Sequence, residues 1–154
     1  MTEGSVPVAR RHGHIRWPGA AIGLFLSGAA AAGAQSLPPL TEVAGDPARG
    51  EALLRDMGRA SCLICHEISQ LDEKDMGEIG PLLDGVAERY DAGELRARVA
   101  DARTLNPDTM MPPYYSLDGL AGVARAYRGQ TIYSAQEVED VVAFLLTLTD
   151  EAAQ

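Results

Sequence analysis

Residues 61–68 read SCLICHEI, and the run Cys62-Leu63-Ile64-Cys65-His66 holds the only two cysteines of the 154-residue chain. Three chemistries use a cysteine pair this close: a disulfide, a zinc site and covalent attachment of haem. A redox disulfide of the thioredoxin kind needs a βαβ setting, and the sequence shows no strand of useful length. Zinc needs four ligands in a structural site. Beyond the N-terminal segment discussed next, the chain has one histidine and two cysteines, which leaves it short of donors. Haem c needs two thiols to add across its vinyl groups and an adjacent histidine for the iron. Leu63-Ile64 sets the thiols at vinyl spacing, so the motif reads as one covalent haem c on Cys62 and Cys65, with His66 as an axial ligand.

Residues 1–34 read as an export signal. Arg10, Arg11 and Arg16 form a positive start, and the apolar stretch from Ala20 to Ala32 follows. That stretch is too short and too rich in small residues for a permanent membrane helix. Ala32-Gly33-Ala34 presents the small residues a signal peptidase reads, so cleavage is expected after Ala34, with the mature chain periplasmic. An uncleaved anchor is the alternative. A twin-arginine signal fits less well, because the residues just after Arg10-Arg11 are not apolar.

The remaining 120 residues make one domain. Without the three arginines and one glutamate of the signal, ten basic and twenty-one acidic residues remain, a net charge of −11. Such a surface disfavours nucleic acid and anionic membranes and favours partners with positive faces. Phe144 and five tyrosines are the only aromatics left. A core so thinly furnished leaves room for a large apolar cofactor.

Residues 35–45 look like an extended leader, ahead of a domain over 46–150. Asp46-Pro47 is a helix start, with Asp at the N-cap and Pro in the first turn. This helix is expected to reach Met57 and stop at Gly58. Ser69 to Gly80 reads as loop. Asp91-Ala92-Gly93-Glu94 and Ser134-Ala135-Gln136-Glu137 are capping boxes. The first opens a helix to about Arg103, and behind the second Val138, Val141, Val142, Leu145 and Thr149 recur at helical spacing. The fold class is all-α: three or more short helices with long loops.

The iron's second axial ligand follows by elimination. His12 and His14 leave with the signal, so thioether sulfur is the best remaining donor. Met57 is too close to the motif to reach the opposite face, and Met76, ten residues past His66, stays on the histidine side. Met110 and Met111 follow a helix and the Asn106-Pro107-Asp108 turn, far enough along to pass round the haem edge. Met111 is favoured, because Pro112-Pro113 stiffens the backbone behind it, with Met110 as the alternative. His/Met ligation raises the potential relative to two histidines.

The stretch GPLLDGVAERY (residues 80–90) resembles the segment after the haem motif of small c-type cytochromes. The resemblance implies that the Pro81 carbonyl accepts the Nδ1–H of His66. Arg89 is a candidate partner for a haem propionate, with a solvated surface arginine as the other reading. Gly50 and Phe144 are candidates for a close crossing of the first and last helices. GDPARGEALL, CLICH, LNPDTMMPPYY and SAQEVEDVVAFLLTL together resemble SoxX, the small haem subunits of periplasmic thiosulfate-oxidising cytochromes, over nearly all of residues 45–149. In that family the methionine before the proline ligates iron, which falls on Met111. Here Met110 stands beside it, a departure that puts two thioethers in series.

The SoxX resemblance implies a cytochrome c-like fold and a heterodimer with a larger haem subunit, SoxA. Together they would act as an L-cysteine S-thiosulfotransferase, coupling thiosulfate to a cysteine of a sulfur carrier protein and passing electrons to a downstream cytochrome c. With both cysteines committed to haem, this chain has no thiol to hold a sulfur intermediate, so its part is electron relay. A free-standing monohaem carrier serving a respiratory oxidase is the alternative. Peroxide reduction would need an open sixth iron position, which the Met111 segment disfavours.

Overall fold

Asp46 opens the first helix, α1 (Pro47–Arg55), as its pattern requires: the carboxylate accepts from Ala48 N at 2.9 Å and Arg49 N at 3.2 Å. The structure is a computed structural model and describes residues 35–59 and 61–150, so the expected export signal lies outside the described residues. The helix stops two residues before the position expected from Gly58. Asp56 turns extended, its carboxylate takes the Gly58 N–H at 2.9 Å, and a 3-10 turn follows over Met57–Arg59. A short acidic side chain competing for backbone donors accounts for the early end.

A single turn, α2 (Val86–Arg89), then stands where no helix was expected, entered through Gly85 at φ 63°. Helix α3 (Ala92–Asp101) starts from the complete Asp91/Glu94 capping box and tightens into a 3-10 turn over Ala102–Thr104. Helix α4 (Ala135–Leu145) starts from the complete Ser134/Glu137 box. It ends before Thr149, where Thr147 Oγ donates to Phe144 O at 2.7 Å, yet Leu148 beyond it remains in the core. Among the described residues there is no β-strand, and the fold is the all-α arrangement expected.

The first and last helices cross backbone against backbone. A Cβ on Gly50 would run into the Asp140 carbonyl and lie 2.9 Å from the Phe144 Cβ. Gly45 meets Glu139 and Ala143 in the same way. Leu54 of α1 and Val138, Val141, Val142 and Leu145 of α4 form the centre of the core, joined by Leu95 and Val99 of α3. Each of these buried side chains contributes on the order of 2 kcal/mol.

Adjacent acids on α4 bind the periphery. Glu139 takes two bonds from Arg96 of α3, at 2.7 and 2.8 Å, and both residues are buried. Asp140 takes two bonds from Arg49 of α1, at 2.8 and 2.9 Å. The leader is held by the same groups: Leu40 N donates to Glu139 at 2.8 Å, Arg96 donates to Leu37 O at 2.7 Å, and Leu37 N donates to Gly93 O at 3.0 Å. Residues 37–41 are therefore a strap across α3 and α4.

Two outcomes follow from this packing. Gly50→Ala should lower stability by about 3 kcal/mol, the cost of overpacking a site whose neighbour is backbone; denaturant unfolding followed by circular dichroism measures it. Glu137 supplies the second. Hydrogen bonds from Arg59, then from Ser134 against the opposing effect of burial, bring its carboxyl from 4.5 down to about 2. A depressed carboxylate stabilises the fold above its unfolded value and loses that effect as pH falls through the folded one. Wild-type stability should therefore fall more steeply between pH 4.5 and about 2 than that of Glu137→Gln. Parallel acid limbs in the two proteins would contradict this.

Candidate haem site

The CLICH motif hangs from the end of α1. Ser61, buried, donates its hydroxyl to Leu54 O at 2.6 Å and accepts from Leu63 N at 3.2 Å, capping a 3-10 turn over Cys62–Ile64. Cys62 O then receives the amides of Cys65 at 3.1 Å and His66 at 2.9 Å. One carbonyl thus fixes the relative positions of both thiols and the imidazole. Leu63 points into the core while Ile64 is exposed. The two thiols are not joined to one another.

The following loop folds back over this turn. Gly77 N donates to Leu63 O at 2.9 Å, Gly80 N to Cys65 O at 2.6 Å, and Leu83 N to Glu67 O at 3.0 Å. Met76 is part of it, its sulfur accepting from Ile68 N at 3.4 Å. His66 Nδ1 lies 2.7 Å from Pro81 O. A carbonyl can only accept, so Nδ1 carries the proton and Nε2 keeps its lone pair for a metal. Gly80 packs flat on the ring: a Cβ there would strike Cε1 and come within 2.6 Å of Nδ1 and 2.8 Å of Nε2.

Arg89 donates to Asp84 O at 2.6 Å and Leu82 O at 2.9 Å, and Asp84 accepts from Ser69 N at 2.9 Å. These bonds brace the loop that carries Pro81.

The methionine segment is anchored from both sides. Thr109 Oγ accepts from Met111 N at 3.2 Å, inside a turn closed by Thr109 N to Asn106 O at 3.1 Å. Beyond the prolines, Tyr114 N donates to Val99 O at 3.3 Å and Tyr115 N to Ala100 O at 3.0 Å, which docks the segment on α3. Met111 is half-buried against the core cluster, whereas Met110 is 79% exposed. The two neighbouring thioethers thus stand in different surroundings, and Met111 is the one held within the fold.

Cys62 lies among aromatic side chains. Tyr114 and Tyr133, the latter donating its hydroxyl to Leu53 O at 3.3 Å, stack beside it with centroids 4.8 Å apart, and Arg59 lies 5.5 Å over the Tyr133 ring. Burial pushes the Cys62 thiol up to about 11, against the hydrogen bond from Tyr114. These surroundings favour an uncharged sulfur, which a thioether is. They disfavour the thiolate that zinc ligation or disulfide exchange requires. The donor set therefore fits covalent haem: two closely placed sulfurs on one tight turn, Cys62 in surroundings that favour its uncharged form, an imidazole with a free Nε2, and a thioether on a separate, anchored segment.

An open cleft of about 810 Å³, lined by Arg59, Tyr115, Leu117, Asp118, Gln130 and Glu137 among others, includes none of Cys62, Cys65, His66 or Met111. Donor chemistry, not open volume, locates the site. Sequence reasoning missed Ser61, Gly80 and the Tyr114–Tyr133 stack. Gly80 and Ser61 flank motif residues and were visible as small residues, but their contacts are tertiary.

The sequence profile of the cytochrome c family matches residues 47–149. Among solved structures the chain is similar to one in the crystal structure of SoxXA from P. pantotrophus, with 35% identity and a TM-score of 0.64, covering 73% of this chain and 88% of that one. No match was found among curated protein sequences.

Met111→Ala in the haem-loaded protein should abolish the methionine–iron band of the oxidised absorption spectrum, and Met110→Ala should keep it. The reverse result would move the ligand to the exposed methionine.

Proposed function

The chain belongs to the cytochrome c family, in its SoxX branch, and from that premise we propose that it is the electron-relay subunit of a two-subunit complex that couples thiosulfate to a carrier cysteine. Electron transfer is the activity of the family, and haem c its covalent cofactor. The observation that carries the finer reading is the 35% identity to a SoxXA chain across 73% of this one.

When bound, haem c supplies a one-electron iron couple, with thioether ligation favouring the reduced state. The chain's residues do the rest. Cys62 and Cys65 would hold the porphyrin through thioether bonds. His66 would offer Nε2 to the iron in the tautomer set by the Pro81 carbonyl, and Gly80 allows its ring to lie in place. Met111 would offer its thioether to the iron from the segment docked on α3, and Tyr114 and Tyr133 cover the Cys62 side.

In the coupling, a sulfur–sulfur bond forms between thiosulfate and the carrier cysteine, one proton leaves the thiol, and two electrons are released. One haem held on Cys62 and Cys65 would supply a one-electron couple, so this chain would relay the two electrons singly to a downstream cytochrome c. With both cysteines in the haem motif, the chain has no thiol for the sulfur intermediate, so the larger SoxA-type subunit supplies that site. The reading also places the protein in the periplasm after removal of residues 1–34. Among the described residues, no helix is long and apolar enough to cross a membrane.

The test is thiosulfate conjugation to the carrier cysteine, read by intact mass, with each subunit alone and with the two mixed. Conjugation is expected only in the mixture, with the haem of this chain reduced in step. Conjugation by this chain alone would overturn the relay role. Full activity of the larger subunit alone would favour the free-standing carrier instead.

A further inference from the structure

Between Tyr115 and Gln130 the chain leaves both helix and core. Its one regular feature is the 3-10 turn Arg125–Tyr127, and every residue except Ser116 and Val123 is exposed. Loops of this length without structure of their own are uncommon in compact domains unless they are used for something. Four large apolar side chains face out of it: Tyr115, Leu117, Leu120 and Tyr127, the last 67% exposed. Leu117, Leu120, Val123 and Tyr127 converge on one depression of about 290 Å³, so they form a patch and not scattered exposures.

The charge of this segment runs against the rest of the chain. From Gly119 to Ser134 there is no aspartate or glutamate, in a protein of net charge −9. Arg125 and Arg128 stand in that stretch without an ion pair among the described residues, whereas Arg49, Arg55, Arg59, Arg96 and Arg103 are each paired with an acid. Exposed tyrosine, leucine and arginine, with lysine absent and Asp118 the single acid of residues 115–130, is the composition of a stable protein interface. The root of the segment is also the site: Tyr115 follows Tyr114, which stacks on Tyr133 beside Cys62.

We propose that residues 115–130 form the face on which the larger haem subunit docks, and that the partner presents an apolar centre ringed by carboxylates. This rests on the two-subunit reading above. A short-lived contact with a soluble acceptor fits less well, because small transient interfaces do not need four exposed apolar anchors.

The experiment measures binding of the haem-loaded protein to purified SoxA-type subunit by calorimetry. Two double variants, Arg125→Glu/Arg128→Glu and Leu120→Asp/Tyr127→Asp, are compared with Val43→Asp, an exposed position of the leader beyond the strap. Each double variant should bind at least about tenfold more weakly, as loss of interface anchors does, with an unchanged low-spin spectrum. Val43→Asp should bind as wild type. Exchange of the amides of 115–130 in wild-type protein should also slow on complex formation. Wild-type binding with both double variants within twofold of it, or unchanged exchange in 115–130, would overturn the docking face and leave the two-subunit reading intact. Failure of wild type itself to bind would overturn that reading and this inference with it. Variants that bind the subunit normally yet lose electron transfer to a soluble cytochrome would assign the face to the acceptor, which also overturns the proposal.

Discussion

The contact between the first and last helices is the constraint on which the rest of the molecule depends. Two glycines, Gly45 and Gly50, let the α1 end of the chain lie directly on the backbone of α4 at Glu139 and Asp140. That closeness brings Leu54 into the core beside Val138, Val141 and Val142. It also puts Asp140 within reach of Arg49, and Glu139 within reach of the leader. The haem motif is suspended from the same contact, because Ser61 is bonded to Leu54 O at 2.6 Å. A side chain on either glycine would move the platform from which both cysteines are presented.

Outside the helices, the site is a set of loops whose backbone groups are mostly satisfied by one another. Cys62 O, Cys65 O and Leu63 O are each taken by an amide from the motif or the returning loop. Arg89 then closes the Pro81 loop with two bonds to its carbonyls. Such a site positions ligands through hydrogen bonds and turn geometry, with little help from regular structure. The scarcity of aromatic residues fits this design, since Tyr114 and Tyr133 are gathered beside Cys62.

Local chemistry was the legible part of the sequence. Both capping boxes, the Asp46 start and the motif itself depend on residues within a few positions of each other, and the structure forms each of them. The Gly50–Phe144 crossing was legible through resemblance, not through periodicity. What could not be read depends on distant partners. The early end of α1 at Asp56 and the one-turn α2 at Val86–Arg89 are set by tertiary bonding and by Gly85. The leader carried no pattern, because its bonds use backbone groups and the buried Arg96–Glu139 pair. Met110 and Met111 are the same residue type; the prolines that follow favour Met111 in the sequence, and the difference in burial appears only in the fold.

The leader strap has a consequence in time. Leu40 N reaches Glu139 across 99 residues, and Asp46 N reaches Asp140 across 94. Closing such long loops delays folding until both ends are present. Until α4 exists, α1 lacks the surface it packs on and the leader has only its bonds to Gly93 and Arg96 of α3. Closure of the fold around Cys62, Cys65 and His66 therefore waits on the last helix, which leaves an interval in which these three residues are accessible to whatever must reach them.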